Sequence, residues 1–271
     1  MSFKLTSKKA ELFKALMDQI AAINTQINIH FREEEGIYIQ GMDQSLACLF
    51  DISLSKAWFD EYTFEKEIVI GVNLEIMNKI LACRSKNQSI QFNIGDDGMV
   101  DKFDINMMDG GKNEYDKSFE TSTYSFETDL LNIPEAENDI DITINSAMFT
   151  NVIEQIALFG DCVRFECSDS GITLVSKENK LHTTMTSHIN IDNIDSYSTV
   201  DEEQFNEYNM SYFVKLCGFT KVVGKEDKVD IKITKDAPIL MKYSIIDDET
   251  VGGTVTMCLA PKVSDDDDED Y

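Results

Sequence analysis

Two nine-residue segments of the chain carry an asparagine and a lysine at the same offsets. One is 73–81, with Asn73 and Lys79, and the other is 209–217, with Asn209 and Lys215; each matched pair lies 136 residues apart. Lysine ammonium groups pair with anionic groups such as phosphates, so an outward face of these segments could meet a polyanion. Because unrelated segments have no reason to keep one register across half a chain, an internal duplication is predicted.

The basic residues are concentrated in short windows of a strongly acidic chain. The sequence has 50 acidic and 24 basic residues, a net charge of −26. Window 1–24 has four lysines against two acids, window 71–90 has three basic residues against one acid, and window 208–225 has three lysines and no acid. A charge of −26 repels free nucleic acid and anionic membranes, so contact with either requires a concentrated basic patch.

The residue types needed for catalysis do not occur in recognisable arrangements. There are only three histidines, His30, His182 and His188, and no HExxH, GxSxG, P-loop or GxGxxG spacing. The acidic clusters at 201–203 and 247–249 lack the spacing of an EF-hand loop. We therefore predict no catalytic residue, no metal site and no cofactor, and expect the protein not to be an enzyme.

The elements that would position the lysines form one plan that occurs twice. Apolar residues at helical spacing predict helices over 8–23 and 146–159. Each predicted helix is followed by segments in which apolar and polar residues alternate, as is typical of β-strands. The predicted strands are 26–31 and 36–40 in the first half and 162–167 and 171–175 in the second, with 89–94 and 228–233 after the two basic segments. Without long βαβ alternation, this pattern indicates an α+β fold of antiparallel sheets with two helices in each domain.

Length and composition support two folded domains. The chain has 271 residues, of which 42% are hydrophobic, and a chain of this length can form two domains with substantial cores. We predict a first domain over 1–127, an interdomain linker over 128–139, a second domain over 140–263 and an acidic, disordered tail over 264–271. The sequence has no signal peptide and no stretch of about 18 apolar residues, so we expect an intracellular protein without membrane contact.

Five short motifs occur in order along nearly the whole chain: Gly71-Val72-Asn73-Leu74, Lys79-Ile80-Leu81, Leu131-Asn132-Ile133-Pro134-Glu135, Phe219-Thr220-Lys221 and Leu259-Ala260-Pro261-Lys262-Val263. Together with the duplication, they resemble the proliferating cell nuclear antigen family of DNA sliding clamps. The resemblance implies a homotrimeric ring with the DNA clamp fold. Such a ring encircles double-stranded DNA, is opened by a clamp loader, and serves as a processivity factor for DNA polymerase and a docking platform for replication and repair proteins. The expected location is the nucleus.

The resemblance also gives the basic residues a place, because the family's helices line the hole of the ring. The residues expected to contact DNA phosphates without sequence specificity are Lys8, Lys9, Lys14, Lys79, Arg84, Lys86, Lys215, Lys221 and Lys225. The strongest expectations among them are Lys79, Lys215 and Lys221. The alternative is that these side chains are the ordinary solvated face of amphipathic helices.

A second site implied by the resemblance is a groove that takes a short peptide from a partner protein. The matching residues are Met42, Leu46, Leu49, Leu131, Ile133, Pro134, Pro238, Ala260 and Pro261. An apolar groove suits a peptide that carries aromatic side chains. Ordinary core packing is the alternative, above all for Leu49.

Several positions depart from the family's pattern. Met257-Cys258 stands where aromatic residues are usual, and Leu46 replaces a common histidine beside the groove, so peptide preference is expected to differ. Ala82, Asn151 and Glu154 occupy positions where basic residues are expected. DNA contact should therefore be weaker or less even around the ring. These departures fit a divergent member of the family, including a viral one acting at a replication site in an infected cell.

The net charge also supports a second hypothesis, which assigns the chain to a different class of protein. A two-domain acidic binding protein, or a nucleic-acid mimic acting on a basic protein partner, would account for the net charge of −26 but not for the segregated lysines. Mass in solution separates the two hypotheses, because only the ring requires three copies of the chain.

Overall fold

The computed structural model describes residues 1–95, 101–127, 129–133, 139–178, 182–199, 204–224, 226–247 and 250–262. The predicted acidic tail, half of the predicted linker including Pro134, and Lys225 lie outside these residues. The chain divides into two compact units. Unit 1 comprises Met1–Asn132, Lys221–Val223 and Ser244–Val255, and unit 2 comprises Ile133–Thr220, Gly224–Tyr243 and Thr256–Tyr271. The first boundary between the units, Asn132 to Ile133, falls inside the predicted linker, and two short segments from the second half of the chain also belong to unit 1.

The described residues of unit 1 form two α-helices, one antiparallel sheet and part of a second one. One sheet has the order β5-β1-β7-β8-β9, and in the other the strands β6-β2-β3-β4 are neighbours. The elements in chain order are β1 (Ser2–Leu5), α1 (Ser7–Ala21), β2 (Gln26–Arg32), β3 (Gly36–Met42), β4 (Cys48–Ser55), β5 (Glu61–Thr63), β6 (Ile68–Asn73), α2 (Leu74–Ala82), β7 (Ser89–Ile94), β8 (Lys102–Met108) and β9 (Lys117–Ser122).

Unit 2 repeats this arrangement. One sheet has the order β13-β12-β11-β15, and in the other β14-β10-β16-β17 are neighbours. Its elements are β10 (Ile140–Asn145), α3 (Ser146–Ile156), β11 (Cys162–Ser168), β12 (Gly171–Glu178), β13 (Thr183–Asn190), β14 (Ser196–Thr199), β15 (Gln204–Asn209), α4 (Met210–Cys217) and β16 (Lys228–Ile233). The last strands, β17 (Ile239–Asp247) and β18 (Thr250–Leu259), contribute residues to both units.

The order of elements and the strand pairing confirm the predicted α+β fold and its duplication. In unit 1, β1 pairs with β5 and β7, and β2 with β3 and β6. In unit 2, β10 pairs with β14 and β16, and β11 with β12 and β15. The helix predicted over 146–159 ends earlier, at Ile156. Within the described residues, every helix is too short or too polar to span a membrane.

A tyrosine hydrogen bond that the sequence analysis missed also occurs in both units. The hydroxyl of Tyr62 donates to the main-chain carbonyls of Arg32 and Gly36, over 2.9 and 2.8 Å, and ties β5 to the β2–β3 hairpin. Tyr197 makes the equivalent pair of bonds in unit 2, over 2.9 and 3.4 Å. Burial raises the pKa of both hydroxyls, so they remain protonated donors. Tyr62 and Tyr197 lie 135 residues apart, close to the 136-residue spacing of the repeat, and this match was the available signal in the sequence.

Apolar side chains from the strands and helices fill the core of each unit. In unit 1, the ring of Phe3 on β1 stacks on Phe92 of β7 and meets Phe13 of α1. In unit 2, Phe149 of α3 contacts Phe165 of β11 and Phe213 of α4. Each helix thus buries one face against the sheets, and its other face is exposed to solvent.

Candidate functional site

The two helices of each unit lie side by side. In unit 1, the side-chain amide of Asn78 on α2 donates to the carbonyl of Met17 on α1 over 3.4 Å. In unit 2, Thr150 of α3 and Thr220 form a hydrogen bond between their hydroxyls at 2.8 Å. Each helix pair therefore forms a defined surface on which the predicted basic residues can be located.

The repeated asparagines are explained by helix capping. Asn73 precedes α2, and its Oδ1 accepts from the backbone N–H groups of Glu75 and Ile76. Asn209 precedes α4 and accepts in the same way from Ser211 N at 3.0 Å. Asparagine at this position satisfies donors that the first helical turn leaves without partners. The asparagine match therefore has a structural cause, and only the lysines of the repeat are left as functional candidates.

Four of the predicted basic residues are exposed. They are Lys8 on α1, Lys79 in the last turn of α2, Lys86 in the turn that follows, and Lys221 at the end of the 3₁₀ turn Gly218–Lys221. None of the four has a carboxylate partner among the residues that the structure describes. Their ammonium groups are free to meet an external anion.

Three other lysines are engaged by neighbouring side chains. Lys9 Nζ lies 2.9 Å from Asp247 Oδ2, and only 17% of the lysine side chain is exposed. Lys14 pairs with Asp18 one turn along α1. Lys215 is half-buried, with its Nζ 5.1 Å from the centroid of the Tyr212 ring. Of the two lysines in the original repeat, Lys79 is thus exposed, whereas Lys215 is half-buried.

Arg84 is committed to its own turn. Its side chain is 7% exposed, and Nη1 donates to three main-chain carbonyls, those of Ser85, Lys86 and Gln88, over 2.9 to 3.1 Å. Burial lowers the pKa of the guanidinium, and the nearby carboxylate of Glu11 offsets only part of this effect. These contacts shape the connection between α2 and β7 and leave Arg84 little capacity for an external phosphate.

Helix α3 presents no cation. Asn151 and Glu154 are exposed on it, Leu158 just beyond it is 79% exposed, and the helix sequence contains no lysine or arginine. The exposed basic residues on helical faces therefore come from the other helical segments.

The predicted groove residues of unit 1 include two exposed leucines. Leu46 is 70% exposed and has a φ of 59°, and Leu131 is 47% exposed. Met42 and Leu49 are half-buried. The turn that carries Leu46 is organised by the buried carboxylate of Asp43, which accepts from the backbone N–H groups of residues 45, 47 and 48. A fixed turn thus holds an apolar side chain in solvent.

The remaining predicted groove residues that the structure describes belong to unit 2. Pro238 and Ala260 are exposed, and Ile133 and Pro261 are half-buried. The segment that carries Ala260 and Pro261 is attached to β15, because the N–H of Lys262 donates to the carbonyl of Glu207 over 2.7 Å. Among the described residues, no group of three or more His, Cys, Asp or Glu side chains is arranged to hold a metal ion.

The two units share one topology of antiparallel sheets, and helical segments of the chain carry exposed lysines. These features define the class of DNA sliding clamps. Family models agree over almost the whole chain: residues 2–131 match the N-terminal domain of proliferating cell nuclear antigen, and residues 132–262 match its C-terminal domain. The chain belongs to the proliferating cell nuclear antigen family. The resemblance identified from the sequence is thereby confirmed.

Individual relatives match nearly the full length of the chain. It is 27% identical to a probable DNA polymerase sliding clamp 2 of Paramecium bursaria Chlorella virus 1, over 99% of this chain and 94% of the relative. It is 24% identical to proliferating cell nuclear antigen 2 of Drosophila melanogaster, over 94% and 96% of the two chains.

Solved structures show the same fold. The proliferating cell nuclear antigen of Entamoeba histolytica superposes with a TM-score of 0.81 at 21% identity, over 97% of this chain and 98% of the other. The A. fulgidus protein, solved with the C-terminal region of FEN-1 bound, gives a TM-score of 0.81 at 18% identity, with the same coverage of both chains.

Proposed function

We propose that the protein is a DNA sliding clamp, a homotrimeric ring that encircles double-stranded DNA and holds polymerases and repair proteins on it. The observation that carries the proposal is the placement of exposed lysines. In a chain of net charge −26, Lys8, Lys79, Lys86 and Lys221 are accessible on or beside helices and have no described carboxylate partner. The family's helices face the DNA, so these residues are the ones that meet phosphates.

Contact through lysines suits sliding. Phosphates look alike at every base-pair step, so ammonium groups attract the duplex without selecting a sequence, whereas base contacts would hold the ring at one site. Lys9, Lys14 and Lys215 contribute less because carboxylates or an aromatic ring already engage them. Arg84 is assigned a structural role. Lys225 is retained from the sequence prediction alone.

Open sheet edges provide the means of ring closure. β9 is the last strand of one sheet of unit 1, and β13 is the last strand of one sheet of unit 2. Within the described part of the chain, no strand covers the outer side of either. An unpaired edge is a template for another chain. We propose that β9 of one copy pairs with β13 of the next, a head-to-tail contact that closes after three copies.

The mass in solution tests the assembly. We expect a single species of three times 30.7 kDa, measured by sedimentation equilibrium over a series of micromolar concentrations and at two salt concentrations. Strand pairing between copies involves main-chain groups, so the trimer should persist at moderate salt. A monomer of 30.7 kDa throughout would contradict the ring and would favour the acidic binding protein instead.

A pair of lysine variants tests the DNA-facing surface. Replacement of Lys79 and Lys221 by alanine should weaken binding to short duplex DNA and lower the slope of log K against log salt by at least about 1, because phosphate contacts release counterions. Fluorescence anisotropy at several salt concentrations measures this slope. The control replaces Lys235 and Lys242, which are exposed outside the helices and change the net charge equally. Equal effects of the two pairs would show that overall charge, not position, governs binding.

The docking function uses the exposed leucines. Leu46 and Leu131 in unit 1 offer apolar surface on anchored backbone, and a peptide with aromatic side chains is the partner of matching chemistry. The A. fulgidus relative was solved with the C-terminal region of FEN-1, which makes that peptide a suitable probe. Leu49, Met42, Ile133, Pro238, Ala260 and Pro261 complete the proposed set, with Pro134 retained from the sequence.

We propose further that the protein has no catalytic activity of its own and works by holding partners at DNA. The place of action is then the site of replication, in the nucleus or, for a viral clamp, at the viral replication site of an infected cell. Family membership supports this role.

A further inference from the structure

A buried glutamine pairs with the main chain at the start of the predicted linker. Gln40 Nε2 donates to the carbonyl oxygen of Leu131 over 2.7 Å, and the N–H of Leu131 donates to Gln40 Oε1, also over 2.7 Å. The glutamine is only 6% exposed. Its amide thus satisfies both polar groups of one linker residue, as a neighbouring strand would.

Two further side chains fix the orientation of this amide. Asp51, directly opposite on β4, accepts from Gln40 Nε2 over 2.9 Å, and the hydroxyl of Tyr38 donates to the same carboxylate oxygen over 2.6 Å. A carboxylate only accepts, so the NH₂ group must face it and the amide oxygen must face the Leu131 N–H. Burial and the adjacent Asp51 raise the pKa of Tyr38, so its hydroxyl remains a donor to this carboxylate.

The chain before Leu131 is anchored as well. The main chains of Gly71 and Tyr124 exchange two hydrogen bonds, over 2.9 and 2.8 Å, and a Cβ on Gly71 would lie 2.5 Å from the Tyr124 carbonyl oxygen. Asn28 Nδ2 donates to the carbonyl of Phe126 over 2.8 Å. Tyr124, Phe126 and Leu131 are therefore each attached to the rest of unit 1, and the bonds to Gln40 make the last of these three attachments.

The anchored backbone carries exposed apolar side chains. Leu130 is 44% exposed and Leu131 is 47% exposed, although the main chain of Leu131 is fully engaged. Ordering a flexible segment when a partner binds reduces affinity, so a segment ordered in advance binds more tightly. We infer that Gln40 is a positioning residue: it holds Leu131 in place before a partner peptide arrives. This inference rests on the proposed docking function.

The test compares two buried glutamines. Gln40→Ala removes both bonds to Leu131. Gln88→Ala is the matched control, because Gln88 is fully buried in the same unit and its Nε2 holds the carbonyl of Tyr115 at 2.8 Å, in a different segment. Hydrogen exchange of the linker amides and binding of the FEN-1 C-terminal peptide by calorimetry are measured for each full-length variant.

We expect exchange of the Leu131 amide to accelerate roughly tenfold or more in Gln40→Ala, and peptide binding to weaken by roughly tenfold, because two net hydrogen bonds are lost. The Gln88→Ala variant should lose comparable stability with linker exchange and peptide affinity within about twofold of the unchanged protein. If Gln40 had a merely structural role, the two variants would show similar linker exchange and similar peptide affinity.

Each other outcome overturns a distinct statement. Unchanged Leu131 exchange in Gln40→Ala would show that Gln40 does not hold the linker. Faster exchange with unchanged peptide affinity would overturn the positioning role and leave the docking function intact. If the unchanged protein fails to bind the peptide, the docking proposal itself fails, and with it the role of Gln40 in docking, whereas the exchange measurement still reports whether the linker is held.

Discussion

A clamp loaded onto nicked circular DNA should remain bound through a high-salt wash and should leave when the DNA is cut once. The lysines contribute salt-sensitive attraction only: a protein held by about six phosphate contacts loses roughly 10³-fold in affinity between 50 and 200 mM salt. A closed ring is held by topology, so its retention on a circle should change little over that range. Cutting the circle removes the topological restraint and leaves only the weak attraction.

The measurement is gel filtration of the DNA-bound fraction after loading by a clamp loader, before and after cleavage by a restriction enzyme. Linear DNA with both ends blocked by bound streptavidin is the control and should retain the clamp as the circle does. Equal loss from circular, cut and end-blocked DNA would contradict encirclement, because it would show that affinity alone holds the protein.

The largest expected effect on stability comes from Phe3 in the core of unit 1. Phe3 is 2% exposed, and its ring stacks on Phe92 with centroids 4.4 Å apart and meets Phe59 edge-on at 5.1 Å. The centroid of the Phe3 ring also lies 5.8 Å from the centroid of the Phe31 ring. Replacement by alanine removes these contacts and leaves a cavity that rigid strands cannot fill. We expect Phe3→Ala to lower the free energy of unfolding by about 3–5 kcal/mol.

The single tryptophan of the chain reports this change directly. Trp58 lies in unit 1, buried beside Phe59, so its fluorescence during denaturation by guanidinium follows unit 1. This matters because a chain of two units need not unfold in one step. Tyr115→Ala is the control: Tyr115 is 73% exposed, and its loss should change stability by less than about 0.5 kcal/mol. Similar midpoints for the two variants would refute the central position of Phe3.

Much of the fold could be predicted because its signals are local. The apolar spacing that predicts α1 and α3, and the alternation that predicts β2 and β3, depend only on residues a few positions apart. The 136-residue register revealed the duplication without any contact being known. The predicted end of α3 is too late, since apolar residues continue past Ile156 while the i→i−4 hydrogen bonds give way to i→i−3 bonds at Leu158 and Phe159.

The site was less predictable because a lysine's availability depends on partners far along the chain. Lys9 and Lys79 look alike in the sequence, yet Lys9 is paired with Asp247 whereas Lys79 is exposed and has no described carboxylate partner. Arg84 shares a basic window with Lys86, but its guanidinium turns inward to bind carbonyls of its own turn. The local composition of the sequence predicts neither difference.

The amino-acid sequence by itself determined the α+β class, the duplicated plan, the family and the surplus of lysines near the helices. It could do so because periodicity, register and motif spacing are properties of the linear chain. The tertiary structure alone decided which lysines are free, that Asn73 and Asn209 are helix caps, and that Gln40 holds the main chain of Leu131. These outcomes depend on side chains that folding brings together, and hydrogen bonds and ion pairs act only over a few ångströms.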